Sequence, residues 1–305
     1  MAKEHQHVYK LEEVLSSEAR SAFRHLEIFA RRMAEGLLHG VHKSKRKGIS
    51  ADFDHHKDYQ PGDPLKHIDW KVSARQNRYY VKRYLEDTAL AVRIVVDRSA
   101  SMLMETDGVS KYLQACRVAA CMANIALKQK DNAGLVIACA EETFWLPNRS
   151  SGVQLVRILE ALASKPAASE DNLPQALKTL LDRGGYKGLM VIVTDLMYPP
   201  EDARREIGRL SAMGHEIILM HIMDRTEAEF PFNRFVEFHD LEVASKHHRL
   251  DAVTLKKIYH EEYQANINEW KVWAKKYNIH YVGFGTNDTI HSVLAEYIAY
   301  RGQVG

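Results

Sequence analysis

Two apolar, β-branched runs that each stop on an aspartate constrain this 305-residue chain more than any other feature. The first is Val92-Arg93-Ile94-Val95-Val96-Asp97 and the second is Leu189-Met190-Val191-Ile192-Val193-Thr194-Asp195. Such a run reads as a strand buried on both faces, as in a parallel sheet covered by helices. In open α/β sheets, ligands bind outside the carboxyl ends of the strands, where the strand order reverses. Ser99 and Ser101 follow the first run at alternate positions, so Asp97, Ser99 and Ser101 can aim their oxygens into one small volume. With Asp195 they would form a cluster of hard oxygens suited to Mg²⁺ or Mn²⁺.

The remaining pattern from residue 91 onward supports that architecture. Helical periodicity is expected near 109–130, 152–163, 173–182, 200–213, 252–277 and 288–301. Strands are expected at 91–97, 134–140, 143–146, 189–195, 216–222 and 279–284, with a further strand at Phe235–Leu241. Strands alternating with helices of this length imply right-handed crossovers and a doubly wound, mainly parallel α/β sheet. Residues 89–305 are therefore read as one α/β domain. Residues 1–88 are read as a separate part, made of an N-terminal helix and a small β-rich segment.

The N-terminal helix is predicted over 11–39, from the spacing of Leu11, Val14, Leu15, Ala22, Phe23, Leu26, Phe29, Ala30, Met33 and Leu37. Its polar face mixes both charges, which favours docking on the body over lying on a membrane. A basic cluster follows, Lys43-Ser44-Lys45-Arg46-Lys47. It could track phosphates, but no aromatic platform is interleaved, and a solvated loop is the simpler reading. Between 52 and 87 charged and aromatic residues alternate densely, with a Pro61-Gly62 turn and a strand over Tyr79–Tyr84. Spacing alone makes this an ion-paired structural hairpin in preference to a recognition surface.

Composition removes several function classes. A hydrophobic share of 46% supports a large core, and a net charge of +2 argues for neither nucleic acid nor an acidic membrane. The three cysteines, Cys116, Cys121 and Cys139, sit in apolar surroundings and read as reduced core residues. No apolar run reaches the ~18 residues of a spanning helix. The polar start, Met1–His7, lacks the apolar core of a leader, so a cytoplasmic chain is expected. No phosphate-binding Gly-rich loop with Lys-Ser/Thr, Gly-x-Ser-x-Gly elbow, His-Glu-x-x-His helix or Cys-x-x-Cys pair occurs. An aspartyl nucleophile at Asp97 would also need a phosphate-binding lysine and an acid/base group, which makes a metal-dependent phosphoesterase the alternative reading.

Asp97-x-Ser99-x-Ser101 at one strand end and Thr194-Asp195 at another resemble the von Willebrand factor A family, whose metal-ion-dependent adhesion site uses this loop. The resemblance is closer to a bacterial subgroup, the domain-of-unknown-function family 58. It is carried by Tyr59-x-Pro61-Gly62-Asp63, Ile68-Asp69-Trp70-Lys71, Ser73-Ala74-Arg75 and Lys82-Arg83-Tyr84-x-Glu86, directly before Asp97-Arg98-Ser99-Ala100-Ser101-Met102. It covers roughly residues 40 to 300. What the resemblance implies is a non-enzymatic adaptor that binds a protein partner through a divalent cation, Mg²⁺ with Mn²⁺ or Ca²⁺ as alternatives. Members are often encoded beside MoxR-type AAA+ ATPases, so the implied partner is such an ATPase or its client. Nucleic acid is not the expected partner.

The implied metal set is Asp97, Ser99, Ser101, Asp171 and Asp195. The family's second loop supplies a threonine where this chain has Asp171, before Asn172-Leu173-Pro174-Gln175-Ala176-Leu177. Three ionised carboxylates around a divalent ion would leave the site with a net negative charge and weaken capture of an acidic partner. Alternatively Asp171 is only the N-cap of the next helix.

Overall fold

The computed structural model describes residues 53–295 except 62, 64, 66–67, 77, 85–88, 139–142, 165–172, 185–186, 198–199, 233–234 and 240–246, together with residues 25, 27 and 30. Asp171, Cys139, the basic cluster and most of the expected N-terminal helix lie outside the described residues. Two compact units arise, one from residues 40–89 and the other from 1–39 with 90–305.

In the smaller unit, β1 (Phe53–Asp58) pairs antiparallel with β2 (Tyr80–Tyr84), with Asp58 opposite Tyr80 and His56 opposite Lys82. The connection holds α1 (Trp70–Gln76), a short helix that hydrophobic periodicity does not announce. It forms because Asp69 caps it, accepting the Lys71 and Val72 amides at 3.1 and 3.2 Å. Ser73 is buried and accepts the Tyr80 amide at 3.0 Å, which fastens helix to strand. Gln60 accepts the Asp63 amide at 2.9 Å, closing the turn at Pro61. Lys57 meets Asp63 at 3.3 Å and His56 meets Asp69 at 3.1 Å. This ion pair and this imidazole–carboxylate hydrogen bond staple the hairpin to its own loop.

The larger unit starts with β3 (Ala91–Asp97), a short 3-10 turn (Ala100–Leu103) and a tiny hairpin of β4 (Glu105–Thr106) and β5 (Val109–Ser110). Next come α2 (Lys111–Lys128), β6 (Asn132–Ala138), β7 (Phe144–Arg149), α3 (Gln154–Ser164) and α4 (Leu173–Arg183). Then follow β8 (Leu189–Thr194), α5 (Pro200–Ala212), β9 (Glu216–Met223) and α6 (Arg225–Glu229). A separate antiparallel pair, β10 (Phe235–His239) with β11 (His247–Asp251), precedes α7 (Ala252–Lys276) and β12 (His280–Gly285). Residues 290–295 are helical.

The main sheet has the order β12-β9-β8-β3-β6-β7, parallel throughout except for β7 at one edge. From β3 the chain moves outward through β6 and β7, then returns to the other side of β3 for β8, β9 and β12. The order therefore reverses between β3 and β8, where Val96 stands opposite Val193. That reversal makes the carboxyl ends of β3 and β8 the crevice of the fold.

Strand alternation divides the core into two layers. Ile94, Val96, Val191 and Val193 pack with α2 and α3, whose Cys116, Cys121, Ile158 and Leu159 belong to the same layer. Ala30, helical and fully buried, belongs to it too, and its carbonyl accepts Asn124 Nδ2 at 2.9 Å. Val95, Met190 and Ile192 face the opposite layer of α4, α5 and α7, closed by Trp270. Cys116 and Cys121 are free thiols, and burial pushes both up to about 12, as expected for inert core residues.

Candidate functional site

The site is built from what happens when β3 and β8 run out of ladder partners. Asp97, the last residue of β3, is fully buried. Its Oδ1 accepts the Ser99 amide at 2.9 Å, an Asx-type turn that folds the loop back over the strand end. Its Oδ2 accepts the Thr194 hydroxyl at 2.7 Å, tying the end of β3 to the end of β8. The hydroxyls of Ser99 and Ser101 lie 2.9 Å apart. One carboxylate and two hydroxyls of the Asp97–Ser101 loop thus gather at the switch point. This is an oxygen set of the chemistry that hard divalent ions take.

Asp195 has a different role. It follows Thr194 directly, but where Thr194 turns to Asp97, Asp195 presents Oδ2 to Lys111 Nζ at 2.6 Å. Its Oδ1 accepts the Met197 amide at 3.3 Å. Lys111 Nζ also reaches Glu227 Oε1 at 2.6 Å, and Lys111 is fully buried. Burial alone would lower the lysine, but the facing carboxylates of Asp195 and Glu227 outweigh it and hold it above its ordinary value. Glu227 is raised because burial outweighs the pull of Lys111. Asp97 and Asp195 therefore share one end of the sheet and answer to separate partners. Among the described residues no group of three or more His, Cys, Asp or Glu stands close enough to hold a metal. Asp97, Ser99 and Ser101 fit a hard ion chemically; the Asp195 carboxylate is committed to an ammonium.

Beside this centre, His221 lies opposite Thr194 on β9. Its Nδ1 bonds the Tyr281 hydroxyl at 2.6 Å, and burial pushes it down to about 4, so the imidazole is neutral. Asp224, just past β9, accepts from Thr106 Oγ1 at 2.6 Å, the Thr226 amide at 2.8 Å and Thr286 Oγ1 at 3.1 Å. Burial works against those bonds, yet together they hold its carboxyl below the ordinary range. A cleft of about 380 Å³ opens alongside, lined in part by Asp195, Met197, His221, Tyr259, Glu262 and Tyr263. Lys111, Glu227 and His221 are members of the site that motif reading passed over, and Thr194, read only as part of the Thr194-Asp195 motif, braces Asp97.

Residues 55–269 match the family described as "Protein of unknown function DUF58". The chain belongs to this family. A DUF58 chain is thus what carries the doubly wound, mainly parallel α/β sheet described above. An uncharacterized protein of Mycobacterium tuberculosis is 27% identical over 214 residues, spanning 69% of this chain and 67% of its own length. Among solved structures, the conserved hypothetical protein BatB from Bacteroides thetaiotaomicron is similar at a TM-score of 0.47 and 17% identity, covering 70% of this chain and 100% of that solved chain. The SpRpn10 VWA domain is similar at 0.38 and 12% identity, over 69% of this chain and 95% of that domain. An aerotolerance-related membrane protein from Bacteroides fragilis is similar at 0.39 and 16% identity, over 67% of this chain and 94% of that protein. These are likenesses of fold.

The expectation of a cytoplasmic chain is corrected by this last likeness, because proteins of similar fold include one described as a membrane protein. The physical reason is that an α/β body keeps the same polar surface whether it is free or tethered. Among the described residues no helix is long and apolar enough to cross a membrane, and that fact does not assign a compartment.

Proposed function

We propose that the DUF58 chain is a non-catalytic adaptor whose docking face is the carboxyl edge of the main sheet around Asp97. The observation that carries this reading is the convergence of Asp97, Ser99 and Ser101 at the strand-order switch. Thr194 holds the Asp97 carboxylate in place, and the Ser99 amide fixes the loop that presents both hydroxyls. A divalent ion bound there, Mg²⁺, Mn²⁺ or Ca²⁺, would supply an open coordination position for an oxygen of the partner. Asp97, Ser99 and Ser101 would hold it, with Asp171 a further candidate from outside the described residues. The cleft beside Met197 and Tyr259 gives room for the flanking side chains of a bound segment.

Adaptor work fits the hydroxyl chemistry better than hydrolysis does. The Ser99 and Ser101 hydroxyls bond each other, an arrangement that suits two neutral ligands of a hard ion. On the resemblance, the partner would be an AAA+ ATPase of MoxR type or its client.

The test is retention of such an ATPase by the immobilised full chain, in Mg²⁺ and in EDTA, for wild type and Asp97→Asn. The expected result is retention by wild type in Mg²⁺ alone. Equal retention in all four conditions would overturn the reading.

A further inference from the structure

Lys111 is the first residue of α2, an 18-residue helix, and no part of its side chain reaches solvent. Both facts work against it. Taking an ammonium out of water is costly unless it is paired. A cation in the first helical turn also opposes the positive end of the macrodipole. The helix start has no other need of this residue. Ser110 Oγ accepts the Leu113 amide at 3.1 Å, and the Lys111 amide is satisfied by the Met104 carbonyl at 3.0 Å.

The compensation lies at the tip of the side chain. Nζ bridges Asp195 Oδ2 and Glu227 Oε1, each at 2.6 Å. Glu227 is itself fixed, because its Oε2 accepts the Asp224 amide at 2.9 Å in the capping box of α6. The β4–β5 hairpin, inserted after the Asp97–Ser101 loop, sets where α2 begins and hence where Lys111 stands. The ammonium therefore joins three segments: the start of α2, the loop after β8 and α6, the short helix that follows β9.

We infer that Lys111 is the resident cation of the β8 strand end, and that Asp195 anchors this ammonium instead of ligating a divalent ion. A metal at Asp195 would have to displace a buried ammonium that also serves Glu227, or crowd a second cation against the same carboxylate. Thr194 and Asp195, consecutive in sequence, serve two centres. Thr194 organises the Asp97 loop, and Asp195 completes a fixed-charge staple. The inference rests on the proposed docking function only for its metal readout; the staple stands on the ion pairs.

The experiment uses the full chain and two readouts on wild type, Asp97→Asn, Asp195→Asn and Glu227→Gln. The first readout is Mn²⁺ binding followed by water-proton relaxation. Asp97→Asn is expected to weaken Mn²⁺ at least tenfold, while Asp195→Asn stays within about threefold of wild type. The second is the melting temperature in EDTA and in Mg²⁺. Asp195→Asn and Glu227→Gln are both expected to melt lower than wild type by the same amount in either buffer. If Asp195→Asn loses Mn²⁺ as fully as Asp97→Asn, or if EDTA alone brings wild type down to Asp195→Asn, the inference is overturned. Should wild type bind no Mn²⁺ while both staple variants still melt lower regardless of EDTA, the metal-dependent docking reading fails and the resident ammonium is supported.

Discussion

Lys111 Nζ lies 2.6 Å from Asp195 Oδ2 with both side chains shut off from solvent, so the carboxylate that ends the second strand run is neutralised from within the chain. The pair also gives Asp195, 2% exposed at a strand end, a buried counter-charge.

Replacing Lys111 by Met leaves Asp195 and Glu227 facing each other in a buried site. Breaking one partner out of a buried ion pair costs about 3–5 kcal/mol. Urea unfolding of Lys111→Met should report a loss of that size. The neutral triple variant Lys111→Met, Asp195→Asn, Glu227→Gln should recover most of it, because no uncompensated charge remains.

His221 makes the fold acid-sensitive. It is neutral when folded, pushed down to about 4 by burial, while an unfolded histidine titrates near 6.5. A base with a depressed folded value binds its proton more readily when unfolded. Stability is therefore retained above about pH 6.5 and lost as pH falls toward about 4. The gap corresponds to on the order of 3 kcal/mol. Comparing His221→Gln with wild type at pH 7, 5.5 and 4.5 checks this: the difference between the two should shrink or reverse as the pH drops.

The Thr194 hydroxyl is the link between the two central strand ends. Thr194→Val keeps the shape but removes the hydrogen bond to the buried Asp97 carboxylate, worth about 1.5–3 kcal/mol, and also the acceptor of the Leu196 amide at 3.2 Å. Chemical denaturation should show that loss, and retention of the partner should fall with it, since the Asp97 loop loses its brace.

At the opposite end of β8 and β3 the limit is steric. A Cβ on Gly188 would stand 2.2 Å from the Ala91 carbonyl oxygen, and backbone atoms cannot give way as a flexible side chain can. Gly188→Ala should destabilise by about 1–3 kcal/mol. Mn²⁺ binding by the folded fraction should be unchanged, because the Asp97 loop lies at the far end of the strands.

Much of this was legible in the sequence because a continuous apolar, β-branched run marks a doubly covered strand without knowledge of its neighbours. Val92–Asp97 and Leu189–Asp195 carry enough buried β-branched residues to be read as central strands, and their closing aspartates mark the crevice. Lys111 was not legible, because a lysine on a helix is ordinarily a solvated residue and only tertiary placement makes it a counter-ion. The short α1 is fixed by the Asp69 cap and by Ser73, not by an apolar stripe. Of the β10–β11 pair, only the apolar Phe235 run was visible. His247-His248-Arg249-Leu250-Asp251 lacks the alternation that announces a strand, yet it pairs antiparallel with β10. The neighbouring roles of Thr194 and Asp195 follow from alternation, yet the partner each would find depended on loops after β3, β5 and β9.

Crystals of the full chain grown with Mn²⁺ and measured for anomalous scattering test the central claim most directly. The account predicts one peak beside the Ser99 and Ser101 hydroxyls near Asp97, with Lys111 still bridging Asp195 and Glu227. A peak ligated by Asp195 with Lys111 turned away, or an Asp97 loop without any peak, would contradict it.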